Sequence, residues 1–417
     1  MAVRTGHRQA QGAPPPLIIA SILRPEGSTG VHTHIRELTN FLEANGTHVT
    51  LLTPFSWARA LGLLLFGIRP GLVWFSAPAG VIWYRYFHGA FLRRALHRRL
   101  RRIGDAVVYA QGPVEAAAAL SARRGPEQRV IMAVHFQTSQ ADEWVRKEQI
   151  ARDGPVFRAI RRFERAVIPQ VDGIVYVSDS ARTDLLGWLP DAAAVRSAVI
   201  PNFIAAPPLQ DDPPPLGDLV TVGSLEVAKN HRFLLQVLAA MNRLGRSLTL
   251  DIYGEGRCRK ELQRLAQSLD VAHLVRFRGY QQDVLQYLPL YRAYVHASYA
   301  ETSSFAIIEA MSAGLPIVSP RTGGIPEIIS DGIEGRIWSL ADPARAAATL
   351  LELVDDEDEH SRAAAASLDR FRRDFCADVV GPRLQAFLMA QGAFGAWRSP
   401  ASPDSPQSSV VSPHAIE

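Results

Sequence analysis

The stretch ETSSFAIIEAMSAGLPIV (301–318) holds two carboxylates, Glu301 and Glu309, on either side of an apolar run. Glu309 sits among Ile307, Ile308, Ala310 and Met311, so apolar periodicity carries it toward a core. A buried carboxylate without donors is costly, so Glu309 either pairs inside the fold or faces a ligand. Glu301 opens a polar run that leads into a helical pattern, with Ser303 or Ser304 as N-cap and Gly314 as stop. Glu301 then belongs to a loop, and Glu309 lies about a turn and a half into the helix.

Other stretches carry similar potential. In EGSTGVHTH (26–34), Gly27 and Gly30 let the backbone approach a ligand ahead of a helix whose free N–H groups suit an anion. The spacing is neither G-x-G-x-x-G nor a P-loop, which excludes both fingerprints. In VGSLEVAKN (222–230), a strand ends at Gly223, and Lys229 and Asn230 lead into a helix. A cation is unfavourable at a helix start, so Lys229 is either a surface residue or a partner for an anionic ligand. In VIMAVHFQTSQADEW (130–144), His135 follows a strand beside polar residues, either as a structural histidine or as a site residue. RTGGIPEII (321–329) adds a glycine pair and Glu327.

The elements that must position these residues follow from hydrophobic patterning. The 417 residues exceed what one core usually serves, so two domains are expected. With 47% hydrophobic and 21% charged residues, the chain has an ordinary globular composition. Cys258 and Cys376 lack metal-ligand or redox spacing, which argues against a zinc site or disulfide framework and for a reducing, cytoplasmic setting. Strands are expected at 17–23, 48–54, 106–110, 129–134, 173–178 and 198–201, with helical patterns between them. The Pro-rich stretch 201–218 reads as a linker. Strands resume at 219–223, 247–254, 275–279, 293–298 and 315–319. Residues 1–16 read as a disordered leader and 398–417 as a disordered tail. The expected fold is α/β, with two Rossmann-like halves whose strand ends face each other across a cleft.

Taken together, E-x7-E (Glu301, Glu309) with EAMSAGLPIV, GGIPE (323–327) and VGSLEVAKN resemble the family 4 glycosyltransferases, retaining enzymes of GT-B fold. The Gly30 loop, His135, YVSDSAR (176–182) and VIPN (199–202) occur in that family's order, so the resemblance spans about residues 17–397. It implies an acceptor-side domain at 17–200, completed by a C-terminal helix near 380–397, and a nucleotide-sugar domain at 219–379. It implies that Lys229 neutralises the donor diphosphate, Glu309 binds the ribose hydroxyls, and Glu301 binds the donor sugar. His135 would bond the same sugar. Gly30 would admit the diphosphate, and Phe305 and Ala306, after Ser304, would offer backbone N–H groups to it. Gly223, Ser224, Asn230 and Gly254 complete the implied donor site. Ser224 stands where the family usually has Arg, and Arg257 is the candidate replacement. Phe203 replaces a common Gly. The co-substrate is a UDP- or GDP-linked sugar, with no metal or other cofactor expected.

Residues 61–104 are rich in aromatics and end in RRALHRRLRR (93–102), with six arginines. No uncharged run there reaches the ~20 residues of a membrane span. The segment reads either as a core strand–helix pair with a solvated basic face or as a peripheral membrane contact. The second alternative would place the enzyme on the inner face of a membrane, acting on a glycan or a polyprenyl-diphosphate-linked acceptor. A nucleotide-sugar epimerase, which needs no acceptor, is the rival enzyme. A nucleic-acid-binding protein is the rival outside catalysis, although it leaves Glu301, Glu309 and Lys229 unexplained.

Overall fold

The computed structural model describes residues 15–56, 59–207 and 215–390, with residues 59–66 described by their backbone alone. Nearly all of the expected leader, the centre of the expected linker (208–214) and the expected tail lie outside the described residues.

Six short parallel strands form the first sheet: β1 (Leu17–Ala20), β2 (Val49–Leu52), β3 (Ala106–Ala110), β4 (Gln128–Val134), β5 (Gly173–Tyr176) and β6 (Ser197–Val199). Their order is β2-β1-β3-β4-β5-β6. A second parallel sheet contains β7 (Leu219–Val222), β8 (Leu250–Tyr253), β9 (Val275–Gly279), β10 (Ala293–Val295), β11 (Ile317–Pro320) and β12 (Gly335–Trp338). Its order is β12-β11-β10-β7-β8-β9. β1, β3, β5, β8 and β10 are buried at every position, as strands covered by helices on both faces must be.

Alternate residues of the first sheet serve two cores. Leu17, Ile19, Val107 and Tyr109 face one side, with Leu38 and Leu42 of the helix Gly30–Ala44. Ile18, Val108 and Met132 face the other, with Leu92 and Leu96 of the helix Ala77–Leu100. The last helix, Ala377–Met389, follows the second domain in sequence, yet adds Val380, Leu384 and Phe387 to the first domain's core. Gly381 makes this possible, since a Cβ there would meet the Phe41 ring at 2.7 Å. The chain crosses between domains at 201–204. Asn202 and Phe203 are buried there, and Ile204 pairs with Cys376. The start of the Pro-rich crossing is thus packed in place.

The strand–helix alternative for 61–104 does not hold. Two helices, Arg59–Phe75 and Ala77–Leu100, form a hairpin. Ser76 turns the chain: its Oγ accepts from Ala79 N at 3.4 Å, and Pro78 occupies the first turn, where its missing N–H costs nothing. Gly80 lets the two helices close, because a Cβ there would lie 2.4 Å from Val73 Cγ2.

Strand order reverses between β1 and β3 in one sheet and between β7 and β10 in the other. Such reversals open a crevice at the carboxyl ends of the strands. The loops after β1, β7 and β10 hold Gly30, Lys229 and Glu301.

Candidate active site

After β7 the chain turns at Gly223, forms a short 3-10 turn at Val227–Lys229, and enters the helix His231–Arg243. Asn230 joins turn to helix in the left-handed conformation (φ 51°), which its short polar side chain tolerates. Gly254 (φ 142°) packs against the Gly223 carbonyl, and a Cβ there would sit 2.0 Å from that oxygen. Gly223 N donates to Tyr253 O at 2.9 Å. These two glycines hold the loops after β7 and β8 together.

The turn carries Lys229 to the loop after β10. Its Nζ donates to Glu301 Oε1 at 2.5 Å, and His296 Nε2 lies 3.1 Å from the same oxygen. Burial by itself would raise the Glu301 carboxyl. The Lys229 ammonium and His296 override that and hold it well below the ordinary carboxylate range. Glu301 is therefore a fixed anion. His231 lies beside this cluster, and burial lowers it to about 3, helped by His296 and Lys229.

The helix Phe305–Ser312 starts behind Ser304, whose side chain makes no cap bond, so nothing among the described side chains caps the first-turn N–H groups of Phe305 and Ala306. Gly30 of the first domain lies against the Phe305 ring, with 3.5 Å from its Cβ position to Cδ2. One turn further on, Glu309 is half-buried. Burial raises it to about 7, Arg36 lowers it and Glu37 raises it. Both neighbours belong to the first domain's helix Gly30–Ala44, so Glu309 faces the interdomain cleft.

His135 follows β4 directly. Its Nε2 lies 3.0 Å from Gln111 Oε1, and its ring meets His34 edge-on at 4.7 Å. Burial and His34 push it well below the ordinary histidine range, so the ring is neutral. With Nε2–H donating to Gln111, Nδ1 is the acceptor. Thr302 Oγ1 donates to His135 O at 3.1 Å, and Asn202 Nδ2 donates to Ser303 O at 2.9 Å. These bonds tie the Glu301 loop to the first domain.

The glycine pair of GGIPE serves the same loop. Gly324 N donates to Glu301 O at 2.9 Å, and a Cβ on Gly323 (φ 53°) would lie 1.9 Å from that oxygen. Glu327 does not join the charge cluster. Its two oxygens accept from Asp179 N and Ser180 N, each at 2.7 Å, at the start of the first-domain helix Asp179–Trp188. Nor does Arg257 fill the place of the missing arginine, because it pairs with Glu148 at 2.9 Å on the exposed rim of the two domains. Ser224 is exposed, with its carbonyl accepting Glu226 N at 2.8 Å. Sequence reasoning passed over His296, His34, Gln111 and Asn202. His296 had a usable signal, since like His135 it follows a buried strand at its carboxyl end.

The two-sheet architecture recurs among known structures. Sucrose-phosphate synthase from Thermosynechococcus elongatus superposes with a TM-score of 0.70 at 16% identity, over 90% of this chain and 98% of that one. Anabaena Alr3699/HepE in complex with UDP and glucose gives 0.65 at 17%, over 90% and 99%. These likenesses define the fold as GT-B. In sequence, the pattern of Glycosyltransferase Family 4 matches residues 28–206, and that of Glycosyl transferases group 1 matches residues 217–356. Glycogen synthase of Mycobacterium tuberculosis (strain CDC 1551 / Oshkosh) is 29% identical over 57% of this chain and 59% of that protein. D-inositol 3-phosphate glycosyltransferase of Streptomyces coelicolor is 33% identical over 32% of each. The chain thus spans about three fifths and about a third of these relatives' lengths. It belongs to the family 4 glycosyltransferases.

Proposed function

We propose that this protein transfers a sugar, with retention, from a nucleoside-diphosphate sugar to an acceptor held against its first domain. The observation that carries this reading is the cluster of Lys229, His296 and Glu301 beside the uncapped helix start at Phe305, facing Gly30 across the cleft.

When the glycosidic bond to phosphate breaks, negative charge grows on the diphosphate while the sugar becomes oxocarbenium-like. Lys229 exchanges its bond to Glu301 for one to the phosphate, and the Phe305 and Ala306 N–H groups add fixed dipoles. Glu301, kept ionised, accepts bonds from sugar hydroxyls and opposes the positive charge that develops on the ring. His135 accepts a further hydroxyl through Nδ1. Glu309 accepts the ribose hydroxyls in its ionised form. Ser224 contributes no charge, so Lys229 is the cation nearest the leaving group in this reading.

A thermal-shift panel of UDP-, GDP- and ADP-sugars, followed by acceptor-dependent nucleotide release, tests the proposal. The right nucleotide raises Tm, and release accelerates with acceptor. Isomerisation of the donor without acceptor would replace this reading with an epimerase.

We also infer that the hairpin 59–100 rests on an anionic membrane surface and receives a lipid-linked acceptor there. Residues 44–104 contain nine arginines and no aspartate or glutamate. Trp74 and Phe75, at the hairpin's turn, are 82% and 81% exposed, and Ile82 and Tyr86 are exposed along the helix that continues to Arg93 and Arg94. No helix among the described residues is long and apolar enough to cross a membrane. Aromatics at the turn and arginines along one helix suit the interface between headgroups and acyl chains. Flotation with phosphatidylglycerol vesicles tests this. Binding should fall in W74S/F75S and at high salt, and equal binding to neutral vesicles would refute it.

A further inference from the structure

Two donors hold Glu301, and both reach the same oxygen. Lys229 Nζ donates to Oε1 at 2.5 Å, and His296 Nε2 lies 3.1 Å from it. A carboxylate only accepts, so His296 carries a hydrogen on Nε2. No hydrogen bond among the described residues goes to Oε2, which leaves that oxygen for a ligand.

The two donors differ in freedom. Lys229 ends a short 3-10 turn, and its side chain, a flexible four-carbon stem, is 31% exposed. His296 directly follows β10, and its side chain is 4% exposed. Its backbone is held at both groups: its N–H donates to Val318 O at 2.8 Å, and its carbonyl accepts from Trp338 Nε1 at 3.0 Å. Its ring lies nearly parallel to the Tyr294 ring, with centroids 6.0 Å apart. The Tyr294 hydroxyl is 3.3 Å from both His296 Nδ1 and Val222 O, so it can donate to either, and Nδ1 has a partner in either protonation state. Lys229 can therefore move, whereas His296 is fixed to the sheet edge.

The difference matters when the nucleotide binds. In the proposed mechanism Lys229 leaves Glu301 for the diphosphate. The Glu301 side chain is only 10% exposed, and a buried carboxylate that loses its last partner is costly. His296 is the donor that stays. We propose that His296 is a positioning residue: it keeps hold of Glu301 Oε1, so that Lys229 is released to the diphosphate and Oε2 is left for the sugar. This rests on the glycosyl-transfer reading and adds a residue to its machinery. His296 acts through Glu301 and needs no contact with the ligand.

Calorimetry on the full chain with UDP, GDP and ADP tests this, since it needs neither the sugar nor the acceptor. H296F keeps a flat ring without the N–H, and should weaken the nucleotide that the wild type binds by about tenfold or more. H296Q, whose amide N–H reaches about as far as Nε2, should bind within about threefold of wild type. In an E301Q background there is no anion to strand, so adding H296F should change affinity by less than about twofold. A merely structural histidine would lower affinity equally in both backgrounds, and glutamine would not replace it. Either of those results overturns the proposal, as does an H296F that binds like wild type. Urea melts show which variants fold. Should H296F fail to fold, H296N, whose amide stops short of Glu301, takes its place. A wild type that binds none of the three nucleotides ends the donor reading itself. A wild type that binds, beside an H296F that binds as well, ends only the role of His296.

Discussion

At the edge of the second sheet, Lys229 and His296 converge on one oxygen of Glu301, and that carboxylate is ionised. At the edge of the first sheet, Glu115 and Glu164 are buried to 3% and 0% exposure with one side-chain hydrogen bond each among the described residues. Glu115 Oε1 accepts Ile22 N at 3.1 Å and Glu164 Oε1 accepts Gln140 N at 2.9 Å, while each Oε2 has no partner among the described residues. Burial raises both, Glu164 to about 7, against the nearby charge of Arg85. One edge holds a compensated charge ready to act. On the other, burial shifts both carboxyls toward the neutral form. In the proposed mechanism charge develops on the donor, and the donor side is where the fold pre-arranges it.

The largest effect should come from breaking the compensated side. K229A removes the cation at the leaving group and strands the Glu301 anion, so kcat/KM should fall about 10²–10³-fold, measured as nucleotide release. The neutral side should show itself in stability. The folded Glu164 pKa lies above its unfolded value, so its contribution is complete below about pH 4.5 and is lost as pH rises through about 7. E164Q, which keeps the acceptor for Gln140 N, should therefore be more stable than wild type by roughly 1–3 kcal/mol at pH 8 and equal to it at about pH 4 in urea melts. A loss at pH 8 would mean that the carboxylate is compensated after all.

Glu309 lies between the two cases. Free, its carboxyl is raised to about 7, whereas ribose hydroxyls need its anion. Nucleotide binding should release a proton, and affinity should strengthen about tenfold from pH 6 to pH 8, an effect absent in E309Q by calorimetry. Glu327 links the two edges, capping a first-domain helix from the second domain. E327A should cost roughly 0.5–2 kcal/mol in closure, the range of a lost cap, seen as a several-fold drop in kcat with nucleotide affinity retained. The exposed Arg257–Glu148 pair should matter least, with R257A changing turnover by less than about fivefold.

Much of this molecule is legible from its residues alone. The alternation of apolar strands and amphipathic helices, the break after residue 200, and the helix from Ser304 to Gly314 all follow from periods and caps that act over a few residues. So does the placement of Lys229, Glu301 and Glu309 at one sheet edge, because each follows a strand at its carboxyl end or starts the next helix. Helix against strand in 59–75 was harder, because a continuous apolar run carries no period that separates the two.

What the residues determined by themselves is therefore the kind and order of elements and the loops that carry chemistry. Only the tertiary structure decided who meets whom. It gave Glu301 to Lys229 and His296, sent Glu327 to a helix of the other domain, drew Arg257 away to Glu148, and brought Glu309 within range of the Arg36 charge. The reason is range. Propensity and patterning act between neighbours in the chain. An ion pair or a hydrogen bond near 3 Å instead depends on where two sheets and their crossovers bring distant loops, and that is settled only when both cores have packed.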